Sequence, residues 1–276
     1  MTMNTGWEAN LHLRYAHSAG RTTLQERRHT GPLVVQKALY PEGDAVCHSI
    51  IVHPPGGIAG GDRLLINAQV GENAKALFTT PGATRWYRST GTLASQKINL
   101  YAKPGAVIEW LPQETIYFDN THAQNSLDVH LEGDASFIGW EIACLGRQRA
   151  GEQFENGRVR QAMSIQVDGR TVFVERGQLS AQDALLMSPL GFGGDKVFAT
   201  FVAHSHKCTV ALVEQCRAVT VPEDMRAGIT LIGNTLIGRS LGNSSEQTRA
   251  LFTNWWKIIR EPICGFAAVP PRIWQT

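Results

Sequence analysis

Residues 159–177, VRQAMSIQVDGRTVFVERG, contain two alternating runs of apolar and polar residues on either side of Asp168-Gly169. In a β-strand such alternation puts the apolar side chains on one face, here Val159, Met163, Ile165 and Val167. Asp-Gly is a favoured two-residue connection between antiparallel strands. The stretch therefore predicts a β-hairpin and makes a sheet the first element of the fold.

Short runs of the same kind continue in both directions from this hairpin. Residues 9–15, ANLHLRY, alternate in the same way. Further strands are predicted at 33–39, 45–53, 63–70, 75–80, 97–102, 106–111, 126–132, 135–145, 197–204 and 208–214. Turn residues separate these runs at short intervals, which indicates an all-β body rather than alternating strands and helices.

The last fifth of the chain changes its period. Within residues 223–242, EDMRAGITLIGNTLIGRSLG, apolar side chains recur at helical spacing: Met225, Ile229, Ile232 and Leu236. Glu223 and Asp224 suit the N-terminus of a helix, because its dipole favours negative charge there. This pattern predicts a first C-terminal helix.

A second helix is predicted over EQTRALFTNWWKIIRE, which begins at Glu246. Ser244 and Gln247 resemble a capping box, and Pro262 is expected to end the helix. Amphipathic stripes mostly face a core, so we expect both helices to pack on the sheets; the alternative is that LFTNWW also offers aromatic surface to a partner. The predicted organisation is one domain, 1–276, with a β body at 1–220, a helical pair at 221–265 and a tail at 266–276.

The composition is that of an ordinary globular protein. The chain has 276 residues, of which 43% are hydrophobic, and a formal net charge of +2. So small a net charge argues against nucleic-acid binding and against docking on anionic membranes. No apolar run approaches a membrane span and the N-terminus lacks signal-peptide features, so a cytoplasmic protein is expected. The five cysteines include no CxxC pair and are expected to be buried free thiols.

Residues 53–62, HPPGGIAGGD, combine four glycines and two prolines with a closing carboxylate. A phosphate-binding loop needs Lys and Ser or Thr after its last glycine, whereas Asp62 and Arg63 stand here, so nucleotide binding is not expected. The chain also contains no GxSxG or HExxH motif. The glycines and prolines suit a tight crossing between two sheets, where Cβ atoms would clash.

One short stretch, VAHSHKCTV, places three metal-ligand types at alternate positions: His204, His206 and Cys208. On a strand they would share one face and form a borderline-soft triad for Ni²⁺ or Zn²⁺. With a carboxylate, the triad would suit a metal-dependent hydrolase. The favoured interpretation is a solvated strand edge with chance histidines, because so short a pattern often arises by accident.

Three carboxylates stand in apolar β surroundings: Asp62, Glu141 and Glu175. A buried carboxylate needs a partner, water or an ion, because burying it alone costs several kcal/mol. One interpretation is that each pairs with an arginine, with Arg147 and Arg176 as candidates. The other is that they line a wet internal path that holds a hydrated cation loosely. The residues alone favour the structural pairs.

The order of several short segments along the chain resembles the UreD (UreH) family of urease accessory proteins. They are Gly6-Trp7, HPPGGIAGGD at 53–62, TTPGATRWYRS at 79–89, WLPQETIYFDN at 110–120, GWEIACLGR at 139–147, Gly151-Glu152, VER at 174–176 and the closing PPRIWQT. Together and in order, they cover nearly the whole chain. The sequence departs from the family where Gln148 follows Arg147, since the family often has proline there.

This resemblance implies a fold of stacked, irregular β-sheets like a β-helix, with two C-terminal α-helices. It implies a non-enzymatic scaffold in the cytoplasm that joins UreF and the GTPase UreG, docks on the urease apoprotein and helps insert nickel, with UreE as the indirect nickel donor. No tightly bound cofactor is expected, only Ni²⁺ in transit, and GTP would be bound by UreG. The positions that match the family's polar internal tunnel are Asp62, Thr84, Glu141 and Glu175. A plain β interaction module without a metal role is the remaining alternative.

Overall fold

The computed structural model describes residues 6–275 and is dominated by strands. The first ten are β1 (Glu8–Ser18), β2 (Arg21–Thr30), β3 (Val34–Leu39), β4 (Val46–Val52), β5 (Arg63–Val70), β6 (Lys75–Thr79), β7 (Thr84–Trp86), β8 (Ala94–Ala102), β9 (Val107–Trp110) and β10 (Thr115–Tyr117). They are followed by β11 (Thr121–Leu131), β12 (Ser136–Leu145), β13 (Gly157–Val167), β14 (Arg170–Ser180), β15 (Val197–His204), α1 (Val210–Arg217), β16 (Arg226–Ile232), β17 (Thr235–Gly242) and α2 (Ser245–Cys264).

The strands form two sheets that the chain visits in turn. The seven-stranded sheet has the order β14-β13-β11-β8-β5-β1-β2. The ten-stranded sheet has the order β16-β17-β15-β12-β9-β6-β4-β3, with β10 and β7 attached beside β12. Between β4 and β13 successive passes of the chain add parallel strands to each sheet. This stacked, solenoid-like arrangement confirms the expected β-helix-like fold class.

The hairpin predicted from residues 159–177 is present as β13 and β14. Asp168 and Gly169 have φ values of 48° and 78°, the left-handed geometry that a tight two-residue hairpin turn needs. The antiparallel register sets Met163 opposite Glu175. The glycine-rich stretch at 53–62 also behaves as expected, because it carries the chain from β4 in one sheet to β5 in the other.

Two hydrophobic cores hold the layers together. The first fills the gap between the two sheets, and the second lies between the ten-stranded sheet and α2. Trp255 and Trp256 are buried in the second core, so the aromatic stripe of α2 packs on the sheet. At the base of α2, Arg260 is buried between the carboxylates of Glu109 and Glu42, with N–O distances of 2.9 and 2.6 Å. This layered packing leaves the inter-sheet gap free of helices.

The helical predictions are partly wrong. Residues 226–242 form the β16–β17 hairpin and not a helix. Gly233, with φ of 56°, starts its turn, and the surrounding β-branched residues and glycines disfavour a helix. The strand predicted at 208–214 is wrong too, because Thr209 caps α1 there by accepting a hydrogen bond from the Leu212 N–H. Residues 6–275 contain two α-helices, but the first precedes the hairpin.

The second predicted helix is confirmed. The Ser244 side chain accepts a hydrogen bond from the Gln247 N–H, as its capping pattern indicates. Pro262 lies inside the last turn, and the helix ends two residues later at Cys264, with Gly265 at φ of 79° as its C-cap. All five cysteines are free and buried, as expected. Among residues 6–275, none of the helices has the length and apolarity that crossing a membrane requires.

Candidate functional site

Two cavities lie in the gap between the sheets. The first cavity has a volume of about 220 Å³ and is lined from both sheets and from the glycine-rich loop, by residues that include His53, Gly57, Ile66, Thr84, Trp110 and Glu141. The second cavity has a volume of about 350 Å³ and is lined by residues that include Asn125, Glu141, Gln161, Glu175, Phe198 and Thr200. Each is large enough for several water molecules.

Glu141 lines both cavities. It lies in the middle of β12, where its neighbours Trp140 and Ile142 face the helical layer, so alternation turns the carboxylate into the inter-sheet gap. Although it is deep in the molecule, Glu141 keeps some accessible surface, because it faces the cavities and not packed side chains. Glu141 therefore forms part of the wall of both cavities.

Two polar side chains hold this carboxylate in place, and a third holds one of them. Trp110 Nε1 donates to Glu141 Oε1 at 2.9 Å, and Asn125 Nδ2 donates to Oε2 at 3.1 Å. Gln96 Nε2 in turn donates to Asn125 Oδ1 at 3.2 Å. The result is a polar bridge (Gln96, Asn125, Glu141 and Trp110) that crosses an otherwise apolar gap from one sheet to the other.

No cation compensates the charge of Glu141 within residues 6–275. Burial raises the pKa of its carboxyl to about 7, since the two hydrogen bonds offset only part of the lost hydration. A carboxylate with this pKa changes between its neutral and charged forms near neutral pH. The fold therefore tolerates the charge of Glu141 and gains no stability from it.

Glu175 lies at the far side of the second cavity and is paired. Arg239 on β17 donates two hydrogen bonds to Glu175 Oε1, at 2.7 and 3.0 Å. The arginine and carboxylate side chains are 59% and 32% exposed, so the pair is solvated. The arginine-pair interpretation therefore holds for Glu175, with Arg239 and not with the neighbouring Arg176.

Asp62 and Thr84 have different positions. Thr84 lies on β7 and lines the first cavity. Asp62 is buried and lines neither cavity; its two carboxylate oxygens accept hydrogen bonds from the backbone N–H groups of Trp7 and Ala59, both at 2.8 Å. Asp62 therefore stabilises the glycine-rich loop, because its carboxylate caps the N–H of Ala59 three residues earlier in the chain.

The arginine pairs proposed from sequence are not those that form. Arg147 pairs with Glu152 at 2.9 Å on the surface. Neither Asp62 nor Glu141 has an arginine partner among residues 6–275, and each is satisfied by neutral N–H donors instead. When Glu141 is ionised, no neighbouring cation cancels its charge, so a cation in transit would meet a net negative centre.

His53 is a residue of this site that sequence reasoning missed. It directly follows β4, is half-buried and lines the first cavity. Its Nε2 atom is buried and reaches no hydrogen-bond partner among the described residues. Burial lowers the pKa of His53, and the nearby Asp62 carboxylate only partly opposes that shift, so the imidazole is neutral at pH 7. The sequence offers no signal for His53, because a lone histidine between a strand and a turn is common.

The alternating triad does not form a metal site. β15 ends at His204, whose Nδ1 lies 2.9 Å from Thr235 Oγ1. His206 is exposed in the following turn, and Cys208 Sγ donates to the Ala203 carbonyl. Within residues 6–275, no group of three or more His, Cys, Asp or Glu side chains is arranged to hold a metal ion. The expected solvated strand edge is wrong, because β15 lies inside the ten-stranded sheet and both His204 and Cys208 are buried.

Comparison with known proteins identifies relatives over the whole of this architecture. The UreD urease accessory protein family matches residues 8–275. A urease accessory protein UreD of Dechloromonas aromatica (strain RCB) is 48% identical over 273 residues, covering 98% of this chain and 95% of the relative. A second UreD, from Azoarcus sp. (strain BH72), is 45% identical over 271 residues with the same two coverages. Both sheets and the helical layer are included in these matches.

Proposed function

This chain belongs to the UreD family of urease accessory proteins, and from that membership we propose that it is a scaffold for loading nickel into apo-urease. A role in urease maturation follows from the family itself, whose members are maturation factors rather than enzymes.

We propose that the partners are UreF, the GTPase UreG and the urease apoprotein, with UreE as an indirect nickel donor, and that the complex works in the cytoplasm. The absence of a phosphate-binding loop in the sequence supports a division of labour in which GTP is bound by UreG. This chain would contribute the rigid body on which the metal is handed on. It needs no tightly bound cofactor of its own for that role.

The observation that carries the proposal is the placement of Glu141 between two inter-sheet cavities. A structural carboxylate in a core is normally paired with a cation, whereas this one is held by two neutral N–H donors and faces space on both sides. Ni²⁺ would enter the gap, be attracted by this negative centre and pass on. Thr84 in the first cavity and Glu175 at the far side of the second extend the oxygen ligands along the route.

Transit requires ligands that bind weakly enough to release. Binding must favour entry without becoming a trap, which is the general condition for conduction through a protein. Isolated oxygen ligands meet this condition better than a closed cluster of three or four ligands. Asp62 contributes to the route indirectly, by fixing the glycine-rich loop that forms one wall.

The test is urease activation in cells that carry the urease genes but lack this one. Complementation by the wild-type chain is compared with Glu141→Gln, which keeps the side-chain shape and removes the charge, and with Glu132→Gln on an exposed pair with Lys103. We expect Glu141→Gln to lower urease activity and urease-bound nickel at least tenfold while the partner complex still assembles. Full activity from this variant would discard the path through Glu141, and activity without the gene would discard the maturation role.

A further inference from the structure

We propose that His53 supplies a nitrogen ligand to a divalent cation in the first cavity. Together with Glu141, it makes that cavity a mixed imidazole–carboxylate binding site. The inference rests on the proposed function for the identity of the cargo, Ni²⁺, but not for the existence of the site. It assigns to the cavity a chemical selectivity that oxygen ligands alone would not give.

The position of His53 follows from the fold. β4 delivers the residue to the edge of the inter-sheet gap, and the glycine-rich loop then turns the chain into the other sheet. The loop is held tightly: a Cβ added to Gly57 would come within 2.4 Å of the Tyr87 ring. Asp62 closes the same loop through the Ala59 N–H, so it is a positioning residue for the cavity wall that carries His53.

The unpaired nitrogen of His53 points to a ligand. Nε2 is buried, and no donor or acceptor among residues 6–275 reaches it. Burying a polar atom without a partner is costly, and such atoms in native proteins call for a reason. Among the side chains that line the first cavity, both Glu141 oxygens and Gln96 Nε2 are hydrogen-bonded, whereas His53 Nε2 is buried without a partner among residues 6–275.

The chemistry of a neutral imidazole explains what this placement would achieve. Imidazole nitrogen suits Ni²⁺, Zn²⁺ and Cu²⁺, whereas carboxylates and water equally suit Mg²⁺ and Ca²⁺. A path lined only by oxygen would be open to the abundant hard cations. One histidine and one carboxylate lining the same cavity, with water completing the coordination, would favour the transition metal and still leave too few protein ligands to trap it.

The test uses the purified chain and Ni²⁺ itself, measured by titration calorimetry at pH 7.5, with Mg²⁺ as the competing ion. His53→Gln is compared with the matched control His130→Gln, whose ring stacks on Tyr101 with a 4.8 Å centroid separation and lines neither cavity. We expect His53→Gln to weaken Ni²⁺ binding at least tenfold and to lose the preference over Mg²⁺, while His130→Gln binds as the wild type does. Equal Ni²⁺ affinity in the two variants would overturn the proposal.

A second measurement covers the case in which His53→Gln does not fold. X-ray absorption of Ni²⁺ bound to the wild-type chain should show an imidazole in the first coordination shell, and the His130→Gln protein should show the same. A shell of oxygen atoms alone would overturn the proposal. The two proposals can fail independently. If nickel follows the path without binding His53, Glu141→Gln still lowers urease activation, but His53→Gln binds Ni²⁺ as the control does. If the chain binds Ni²⁺ at His53 but has no maturation role, cells that lack the gene still activate urease.

Discussion

The charge on Glu141 is expected to lower the stability of the folded protein, and Glu141→Gln removes that charge with little change of shape. The amide can still accept the hydrogen bond from Trp110, and rotation of both the Asn125 and the Gln96 amides presents an acceptor to the new NH₂ group and keeps the Gln96–Asn125 hydrogen bond. Since the bridge can be kept, the main difference between the two proteins is the cost of a buried charge. That cost depends on pH, which makes it measurable.

The size of the effect follows from linkage. The pKa of Glu141 is raised from 4.5 to about 7 in the folded chain, so folding binds a proton between these values. The contribution of Glu141 to the stability of the wild type is therefore greatest below pH 4.5, falls as the pH rises towards 7, and is flat above that. At about 1.4 kcal/mol for each pKa unit, the full difference is about 3 kcal/mol. Glu141→Gln lacks this dependence and should be more stable than the wild type by that amount at pH 8.

Thermal denaturation followed by circular dichroism at pH 5 and pH 8 tests this expectation. At pH 8 the variant should melt higher by on the order of 6 °C, while at pH 5 the two proteins should differ little. Glu132→Gln is the control, because its exposed pair contributes less than about 1 kcal/mol at either pH. A variant that is less stable than the wild type at pH 8, or a difference that is the same at both pH values, would refute the reasoning.

Three further substitutions test the packing that surrounds the site. Arg260→Met leaves two buried carboxylates without their cation and should destabilise the fold by about 3–5 kcal/mol in denaturant titrations, whereas Arg149→Met, in an exposed pair, should change it by less than about 1 kcal/mol. Gly57→Ala forces a methyl group against an aromatic ring and should lower stability by about 1–3 kcal/mol, with Gly82→Ala, which meets open space, as a neutral control in the same melts. Ser244→Ala removes the N-cap of α2 and should cost about 1 kcal/mol; no change in the melting temperature would show that the cap is dispensable.

Local patterns predicted the strands well where one face is buried. The alternation at 159–177 and the Asp168-Gly169 turn identified the β13–β14 hairpin, because period-two burial and left-handed turn geometry are properties of adjacent residues. They failed for β2, whose residues are mostly exposed and polar at an outer edge of its sheet, so no alternation marks it. The helix wrongly predicted at 223–242 shows the converse error. Its apolar spacing fits a helix by coincidence, and the Gly233-Asn234 turn was the better signal.

The sequence predicted only part of the candidate site. Glu141 could be chosen because a carboxylate in an apolar strand is costly and therefore conspicuous. Asp62 could be chosen for the same reason, yet its oxygens are used by the loop's own backbone N–H groups. His53 carries no such signal in sequence, since a lone histidine beside a turn is unremarkable until the fold shows that its Nε2 has no partner.

The sequence by itself determined where strands, turns and the α2 cap lie, since these depend on residues a few positions apart. Only the tertiary structure decided which polar groups meet. The donors to Glu141 are 31 and 16 residues away and come from different sheets, and the cation of Glu175 is 64 residues away. Whether a buried carboxylate is neutralised or left as a negative centre depends on these distant partners. A neutralised carboxylate belongs to a structural ion pair, whereas an unpaired one can bind a metal ion transiently.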